Sequence, residues 1–366
     1  MARRIIIAGG GTGGHIFPAI AIANAIKKEA PQTEILFVGA KGKMEMEKVP
    51  QAGYKIEGLD IAGFNRSSLI KNVGLPLKLA KSFLQVRKIF KQFQPDAVVG
   101  VGGYSSFPVL RFAQAKRIPS FIHESNSFAG KSNILLGKKA RKVFVASDGM
   151  EKFFAADKIM ISGNPVRPAI TNVSSISYEE ALKFFGLNPA KKTLLIVGGS
   201  LGAKSINHAI LKGVNELTQN GLQLIWQTGK TDAAKWKEGA ANQPGVWVND
   251  FITQMENAYA AADIVISRAG AMAIAELCLV KKPVVFVPYP FAAEDHQTAN
   301  AMNLVNKNAA MMIKDSEVMD KLIPQILLLT KDEEKQIQLK QNIGRYAVTD
   351  ADKKIAREIL KSMGER

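Results

Sequence analysis

The chain alternates short apolar runs with longer amphipathic stretches. In the first half the runs are rich in Ile, Val and Phe, as in "RRIIIAG" at residues 3–9 and "EILFVG" at residues 34–39, and each leads into a stretch with helical spacing. Strands that alternate with helices form a parallel sheet covered on both faces. The pattern therefore predicts a Rossmann-like α/β domain.

This alternation stops and begins again in the middle of the chain. After "GNPVRP" at residues 163–168, whose prolines disfavour a continuous helix or strand, a second strand, glycine-rich turn and helix begin at "TLLIVGGSLGA", residues 193–203. The length of 366 residues also exceeds what one core usually supports. We predict an α/β fold with two Rossmann-like domains facing across a cleft, 1–164 and 165–349. The amphipathic segment at about 350–366 is expected to pack back onto the first domain.

The net charge of +17 is concentrated in the first domain. Residues 1–165 contain 25 Lys and Arg against 11 Asp and Glu, whereas residues 166–366 contain 24 against 21. A basic half indicates an anionic partner, either nucleic acid or anionic lipid. The sequence lacks basic and aromatic strands or a recognisable reading helix, which argues against nucleic acid.

One basic stretch favours a membrane surface. Residues 67–91, "SSLIKNVGLPLKLAKSFLQVRKIFK", mix Leu, Ile, Val and Phe with Lys and Arg, which is typical of anchoring at an anionic bilayer. The alternative is an ordinary amphipathic helix that covers the sheet. No apolar run approaches the roughly 20 residues of a spanning helix, and "MARR" leads into a strand without a signal-peptide pattern. We expect a peripheral protein that is not exported.

The opening turn suggests a bound ligand but no cofactor. "GGGTGG" at residues 9–14 matches the dinucleotide fingerprint, and its five glycines favour close approach of a ligand to the backbone. A nicotinamide site also needs a carboxylate about 20 residues later, at the end of the second strand. Lys41 and Lys43 stand there instead, so adenine dinucleotide binding is disfavoured. Asp350 and Asp352 begin a helix and are interpreted as capping, so no dedicated metal site is expected.

The second half has its own candidate ligand groups. Ser200, in the turn at residues 198–203, and the backbone amides near it can cap a phosphate, although an ordinary N-cap serine is equally compatible with the sequence. Glu276 lies in the apolar helical stretch "AIAELCLV", where an unpaired charge would be costly, and a carboxylate there can hold a ribose diol. "AAEDHQTANA" at residues 292–301 suits sugar hydroxyls, or a helix-capping loop.

Polar loops also follow two strands of the first half. "GVGGYSSFP" at residues 100–108 and "FIHESNSFAG" at residues 121–130 should lie at the carboxyl edge of the sheet, where open α/β folds bind ligands. The residues expected to share one cleft there are His15, Tyr104, His123, Glu124 and Asn126.

Taken together, these motifs resemble those of one family. The motifs, in chain order, are "GGTGGHIFPA", "GVGGYSSFP", "HESN", "GNPVR", "GGSLGA", "SRAGA" with Glu276, and "EDHQTANA". Their order and spacing resemble the MurG-type glycosyltransferases, which add N-acetylglucosamine to lipid I in peptidoglycan synthesis. The resemblance implies the GT-B fold, the donor UDP-N-acetylglucosamine in the second domain and undecaprenyl-linked lipid I at the first. It also implies a peripheral position on the cytoplasmic face of the bacterial inner membrane.

Site residues follow from the same resemblance. Ile252 would offer backbone hydrogen bonds to uracil, Glu276 would bind the ribose diol and Ser200 the diphosphate. Gln297 and Asn126 would contact the aminosugar. The full donor set implied is Thr12, Gly13, Gly14, Asn126, Arg167, Ser200, Ile252, Ala271, Met272, Ala273, Ile274, Ala275, Glu276 and Gln297. The acceptor side would comprise Gly102, Gly103, Tyr104 and His123.

Two positions depart from the family pattern, and one role stays open. Ser125 replaces a frequent Gln, and Ala273 replaces a frequent Ser or Thr. His15 is the candidate general base because imidazole titrates near neutral pH and a helix N-terminus favours its neutral form. Glu124 is the alternative base. A different UDP-sugar lipid transferase, with a diacylglycerol acceptor, is the alternative function.

Overall fold

The chain folds as two compact α/β units. In the computed structural model, which describes residues 3–63, 74–199, 201–240 and 243–364, the first unit is Met1–Val166 with Asp350–Arg366 and the second is Arg167–Thr349. The division therefore falls two residues after the sequence-based boundary. Within the described residues, every helix is too short or too polar to cross a membrane.

The first unit is built on a seven-stranded parallel sheet. Its spatial order is β3-β2-β1-β4-β5-β6-β7. The strands are β1 (Arg4–Ala8), β2 (Glu34–Ala40), β3 (Lys55–Leu59), β4 (Ala97–Gly100), β5 (Ser120–Glu124), β6 (Lys142–Val145) and β7 (Ile159–Ile161). The helices are α1 (Gly13–Glu29), α2 (Glu45–Gln51), α3 (Leu75–Phe93), α4 (Ser106–Ala115) and α5 (Lys131–Gly137), with α15 (Ala351–Gly364) from the end of the chain.

Both faces of this sheet are buried. Successive side chains of a strand point to opposite faces, so Ile6 packs in one core cluster, whereas Ile5 and Ile7 pack in another. The second cluster also holds Ile355 and Ile359 of α15. The last helix thus packs against β1 and α1, and it completes the core of the first unit.

The second unit repeats this layout with six parallel strands. Their spatial order is β10-β9-β8-β11-β12-β13. The strands are β8 (Lys192–Val197), β9 (Leu222–Gln227), β10 (Val246–Asn249), β11 (Ile264–Ser267), β12 (Val284–Phe286) and β13 (Met311–Met312). The helices are α6 (Pro168–Thr171), α7 (Tyr178–Phe185), α8 (Lys204–Gln219), α9 (Ala233–Ala240), α10 (Met255–Ala261), α11 (Ala271–Val280), α12 (His296–Val305), α13 (Val318–Lys331) and α14 (Glu333–Gly344).

The sheet order places the glycine-rich turns at equivalent points. In each unit the strand order reverses beside the first strand, between β1 and β4 or between β8 and β11. Open α/β folds bind ligands at the carboxyl ends of the strands at this switch point. The prediction of two parallel, Rossmann-like α/β units is confirmed.

Candidate active site

Two glycine turns of the first unit pack backbone against backbone. They follow the neighbouring strands β1 and β4, and the Gly10 N–H donates to the Gly102 carbonyl at 3.2 Å. Gly103, at φ +87°, lies so close to Gly10 that a Cβ at residue 103 would collide with the backbone of Gly10. A side chain at residue 103 would therefore push the two turns apart. This contact explains why both loops are rich in glycine.

His15 lies in the first turn of α1, beside these two turns. Its Nδ1 is 3.1 Å from the Gly10 carbonyl and 3.3 Å from Thr12 Oγ1. A carbonyl only accepts, so in the neutral imidazole Nδ1 carries the hydrogen and Nε2 is the basic nitrogen. Nε2 faces Gly102, where a Cβ would lie 2.7 Å from it. The helix N-terminus also directs the N–H groups of Gly13 and Gly14 outward, where they can meet an oxygen of a ligand.

A buried carboxylate that sequence reasoning missed holds this turn in place. Glu45, in the first turn of α2, accepts hydrogen bonds from Gly11 N–H at 2.8 Å and Ala40 N–H at 3.0 Å. A Cβ at Gly10 would collide with the Glu45 carboxyl group. The carboxylate thus takes an amide that a dinucleotide phosphate would need. No sequence pattern separates Glu45 from its exposed neighbour Glu47.

Glu124 organises the loop after β5. Its Oε1 accepts from the backbone and side-chain N–H groups of Asn126 at 3.1 and 3.3 Å, and its Oε2 accepts from Gly130 N–H at 3.1 Å and Asn133 Nδ2 at 2.8 Å. Four donors fill the acceptor positions of a carboxylate. Glu124 is therefore better suited to positioning Asn126 than to accepting a proton from a substrate.

His123 and Tyr104, both expected on the acceptor side, have opposite environments. His123 is 1% exposed, and neither ring nitrogen makes a hydrogen bond of good geometry. It is therefore not a surface contact in this structure. Tyr104 is 52% exposed, and its ring lies over Gly63, where a Cβ would collide with it. Tyr104 is available to a ligand.

In the second unit, the turn after β8 and the start of α11 lie at neighbouring strand ends. The Gly202 N–H donates to the Gly199 carbonyl at 2.9 Å, and Gly202 packs against the Thr228 carbonyl. Ser200 lies outside the described residues. The helix α11 begins after Gly270, its N-cap residue, and its first two turns contain half-buried side chains. These are Ala271, Met272, Ala273, Ile274 and Ala275.

Glu276 is the most constrained group of the second unit. Arg167 donates to its Oε1 from Nε at 3.0 Å and from Nη2 at 2.8 Å, and the Tyr259 hydroxyl donates to its Oε2 at 3.0 Å. Burial raises the pKa of Glu276, whereas Arg167 and Tyr259 act to lower it. Sequence reasoning selected Glu276 and Arg167 but not Tyr259.

Two other predicted donor contacts are Ile252, in the loop after β10, and Gln297, in the first turn of α12. The Ile252 side chain is buried after β10, so its backbone is the part that can meet a ligand. Gln297 Oε1 accepts from Tyr289 N–H at 2.9 Å, which leaves the amide nitrogen of Gln297 as a donor. Just before it, Glu294 and Asp295 have φ values of +56° and +50°. Left-handed backbone at non-glycine residues is costly and is concentrated at functional sites.

Comparison with known proteins places this geometry in a family. The N-terminal domain of glycosyltransferase family 28 matches residues 5–145, and the C-terminal domain of that family matches residues 193–356. This chain belongs to glycosyltransferase family 28. The resemblance to MurG-type enzymes is thereby confirmed.

Relatives within family 28 match nearly the whole chain. The UDP-N-acetylglucosamine–N-acetylmuramyl-(pentapeptide) pyrophosphoryl-undecaprenol N-acetylglucosamine transferase of Phocaeicola vulgatus is 54% identical, over 98% of this chain and 96% of that protein. The protein of the same name from Parabacteroides distasonis is 53% identical, over 99% of each. Among solved structures, MurG of Acinetobacter baumannii superposes with a TM-score of 0.81 at 28% identity, over 98% of this chain and 99% of that one.

The two departures from the family 28 pattern have different surroundings. Ser125 is buried, and its backbone carbonyl accepts from Asn164 Nδ2 at 3.0 Å. Ala273 lies in the first turn of α11, where the backbone N–H groups have no partner within the helix. Among the residues that the structure describes, no group of three or more His, Cys, Asp or Glu side chains is arranged to hold a metal ion.

We predict that Glu45→Gln loosens the opening turn. Glutamine has one acceptor oxygen, so either the Gly11 or the Ala40 amide would face an NH₂ group and lose its partner. Amide hydrogen exchange at one of the two, Gly11 or Ala40, should accelerate about tenfold or more, since a lost buried bond costs about 1–3 kcal/mol. Glu47→Gln, on the same helix but exposed, is the control. Equal exchange rates in the two variants would contradict this role of Glu45.

A second prediction concerns pH and His123. Burial lowers the pKa of His123 to about 4 from 6.5, and the charge of His15 lowers it further, against opposing effects of Gly163 and Asn164. The unfolded chain therefore binds a proton between about pH 6.5 and 4 that the folded chain excludes. Stability should fall as the pH drops through this window, by about 3 kcal/mol in total.

The measurement is the free energy of unfolding in urea at several pH values. His123→Gln should flatten the dependence below pH 6.5, because a glutamine does not titrate. His208→Gln, at an exposed histidine on α8, should keep the wild-type slope. A slope unchanged by His123→Gln would show that other groups cause the acid sensitivity.

Proposed function

We propose that this protein transfers N-acetylglucosamine from UDP-N-acetylglucosamine to the C4 hydroxyl of the muramic acid sugar of undecaprenyl-linked lipid I. The product is lipid II, an intermediate of peptidoglycan synthesis. The proposal rests mainly on sequence similarity: two relatives named as this N-acetylglucosamine transferase are 54% and 53% identical over nearly the whole chain. The seven motifs of the sequence agree with this activity.

In this proposal the second unit binds the donor. The backbone of Ile252 pairs with uracil, and Glu276 accepts hydrogen bonds from the ribose diol. The diphosphate meets the N-terminal amides of α11, Ser200 and Arg167, because a helix N-terminus and a guanidinium both favour anions. The amide nitrogen of Gln297 donates to the aminosugar.

The first unit supplies the base and the acceptor contacts. Nε2 of His15 takes the proton of the C4 hydroxyl while its oxygen attacks the anomeric carbon and the bond from that carbon to the UDP oxygen breaks. UDP leaves with the bonding electron pair, and the configuration at the anomeric carbon inverts from α to β. The Gly13 and Gly14 amides, Asn126 and the exposed ring of Tyr104 hold the sugars and the lipid-linked diphosphate near His15.

The proposal places the protein peripherally on the cytoplasmic face of the bacterial inner membrane. The inner face of α3 packs into the core through Val86, Ile89 and Phe90. On the same helix, Leu77 is 77% exposed and Leu84 is 67% exposed. Basic side chains accompany them along the helix, and they are Lys78, Lys81, Arg87, Lys88 and Lys91. Residues 67–73, the start of the predicted anchoring stretch, lie outside the described residues.

A transfer assay tests the reaction and the base together. With labelled UDP-N-acetylglucosamine, lipid I should be glycosylated, and diacylglycerol and water should not. His15→Ala should lower kcat at least a hundredfold, the lower end of what a general base contributes, and leave donor affinity unchanged. His208→Ala serves as the matched control.

The outcomes separate the two claims. Transfer to diacylglycerol but not to lipid I would establish the alternative lipid glycosyltransferase in place of the proposed one. A few-fold loss of turnover in His15→Ala, with lipid I still the acceptor, would exclude His15 as the base while preserving the function.

Membrane binding gives a further prediction. Vesicles of anionic lipid should recruit the protein, and added salt should release it. Lys88→Ala with Lys91→Ala should weaken binding roughly thirtyfold, at about 1 kcal/mol for each basic residue near the headgroups. Lys331→Ala with Lys340→Ala, at exposed lysines of the second unit, should leave binding unchanged. Equal binding to neutral vesicles would contradict the electrostatic attraction.

A further inference from the structure

The carboxylate of Glu276 is already heavily bonded in this structure. Its Oε1 receives both hydrogen bonds from Arg167, and its Oε2 receives the hydroxyl of Tyr259. A carboxylate accepts about four hydrogen bonds, so three of the four positions are occupied. A ribose diol has two hydroxyls to donate. At least one present donor must therefore leave when the diol binds.

The surroundings of the two donors show which of them can leave. The Tyr259 residue is only 3% exposed, so a hydroxyl without Glu276 would be buried and unpaired at considerable cost. The Arg167 side chain is 46% exposed, compared with 10% for that of Glu276. A guanidinium can therefore turn from Glu276 to water or to an anion. With Arg167 gone, both positions of Oε1 and one position of Oε2 are open, which suits one hydroxyl on each oxygen.

We propose that Tyr259 is a positioning residue of the donor site, which holds Oε2 of Glu276 in place for the ribose diol, while Arg167 occupies Oε1 only until the donor binds. This inference rests on the proposed function, since it assumes that a uridine diphosphate sugar is the donor. Arg167 then moves from the carboxylate to the diphosphate of the same ligand. The exchange keeps each charge paired before and after binding.

The ionisation of Glu276 depends on the same two donors, Arg167 and Tyr259. Burial raises the pKa of Glu276, and Arg167 and Tyr259 oppose this effect. Among the described residues these are the ionisable groups that act on it, whereas α12 and α14, which also pack against α11, contribute none. The pKa of Tyr259 is itself raised far above 10 by burial and by Glu276, so its hydroxyl stays protonated and donates. Once Arg167 has turned away, the hydroxyl of Tyr259 still favours the ionised form of the carboxylate.

The test uses Tyr259→Phe and two nucleotides, UDP and 2′,3′-dideoxy-UDP, which lacks both ribose hydroxyls. Wild-type protein should prefer UDP. The variant should bind UDP about tenfold more weakly, because the displaced carboxylate loses about one charged hydrogen bond to the diol, and dideoxy-UDP unchanged. As the pH is lowered, Glu276 becomes protonated and the preference for UDP is lost. This loss should occur at a higher pH in the variant than in wild-type protein, because the pKa of Glu276 rises without the hydroxyl. The ratio of the dissociation constants of the two ligands is independent of phosphate titration, because both ligands carry the same diphosphate.

Tyr178→Phe is the matched control. The Tyr178 hydroxyl donates to Asp263 Oδ2 at 3.2 Å in the same unit, so this variant also removes a bond from a tyrosine to a carboxylate. It should leave the UDP preference and its pH profile unchanged. An unchanged preference in Tyr259→Phe, or an equal loss in Tyr178→Phe, would overturn the proposal. Failure of wild-type protein to bind UDP at all would instead refute the proposed function.

Arg167→Ala tests the exchange itself, in alkaline buffer, which favours the ionised form of Glu276. It should weaken UDP at least tenfold through loss of a charged contact with the diphosphate. Uridine, which has the diol but no phosphate, should bind as tightly as to wild-type protein or more tightly, because Arg167 no longer competes for Oε1. Equal weakening of uridine and UDP would show that Arg167 does not vacate the carboxylate.

Discussion

Burying a carboxylate is costly unless hydrogen-bond donors surround it, and this constraint shapes the candidate ligand-binding residues of each unit separately. Glu45, Glu124 and Glu276 are each buried near the carboxyl ends of strands. Each therefore collects donors, and the segments that supply those donors are held in place. Glu45 holds the opening turn, Glu124 holds the loop after β5, and Glu276 holds the side chains of Arg167 and Tyr259.

The three glutamates differ in the hydrogen-bond donors that surround them, and this difference distinguishes their roles. Glu45 is bonded by backbone amides, and Glu124 by backbone amides and the side chains of two asparagines. Such donors belong to the fold itself and cannot leave without disturbing it. Glu276 is bonded by side chains alone among its recorded partners, and one of them, Arg167, is half exposed. A carboxylate with a replaceable partner is suited to a ligand, whereas one saturated by backbone is suited to a scaffold.

The glycine-rich turns show how close packing and chemistry depend on each other. Gly102 and Gly103 leave room for the backbone of Gly10 and for the imidazole of His15. The Gly10 carbonyl then selects the His15 tautomer whose Nε2 is basic. A side chain at either glycine would separate the turns and disturb the imidazole. The glycines that match a dinucleotide fingerprint therefore allow the two turns to pack closely in this protein, and Glu45 accepts a hydrogen bond from an amide of the turn.

The sequence by itself determined the two parallel α/β units, because alternating apolar strands and amphipathic helices have few other ways to bury their faces. It also identified the family, because the motifs stand in a fixed order along the chain. Only the tertiary structure distinguished Glu45 from Glu47 and revealed Tyr259, since a carboxylate or a hydroxyl shows its role only through the groups that folding brings to it. Glu45 meets Gly11 from 34 positions away, and Arg167 meets Glu276 across 109. Local pattern carries no information about such pairs, whereas the cost of an unpaired buried charge makes them necessary.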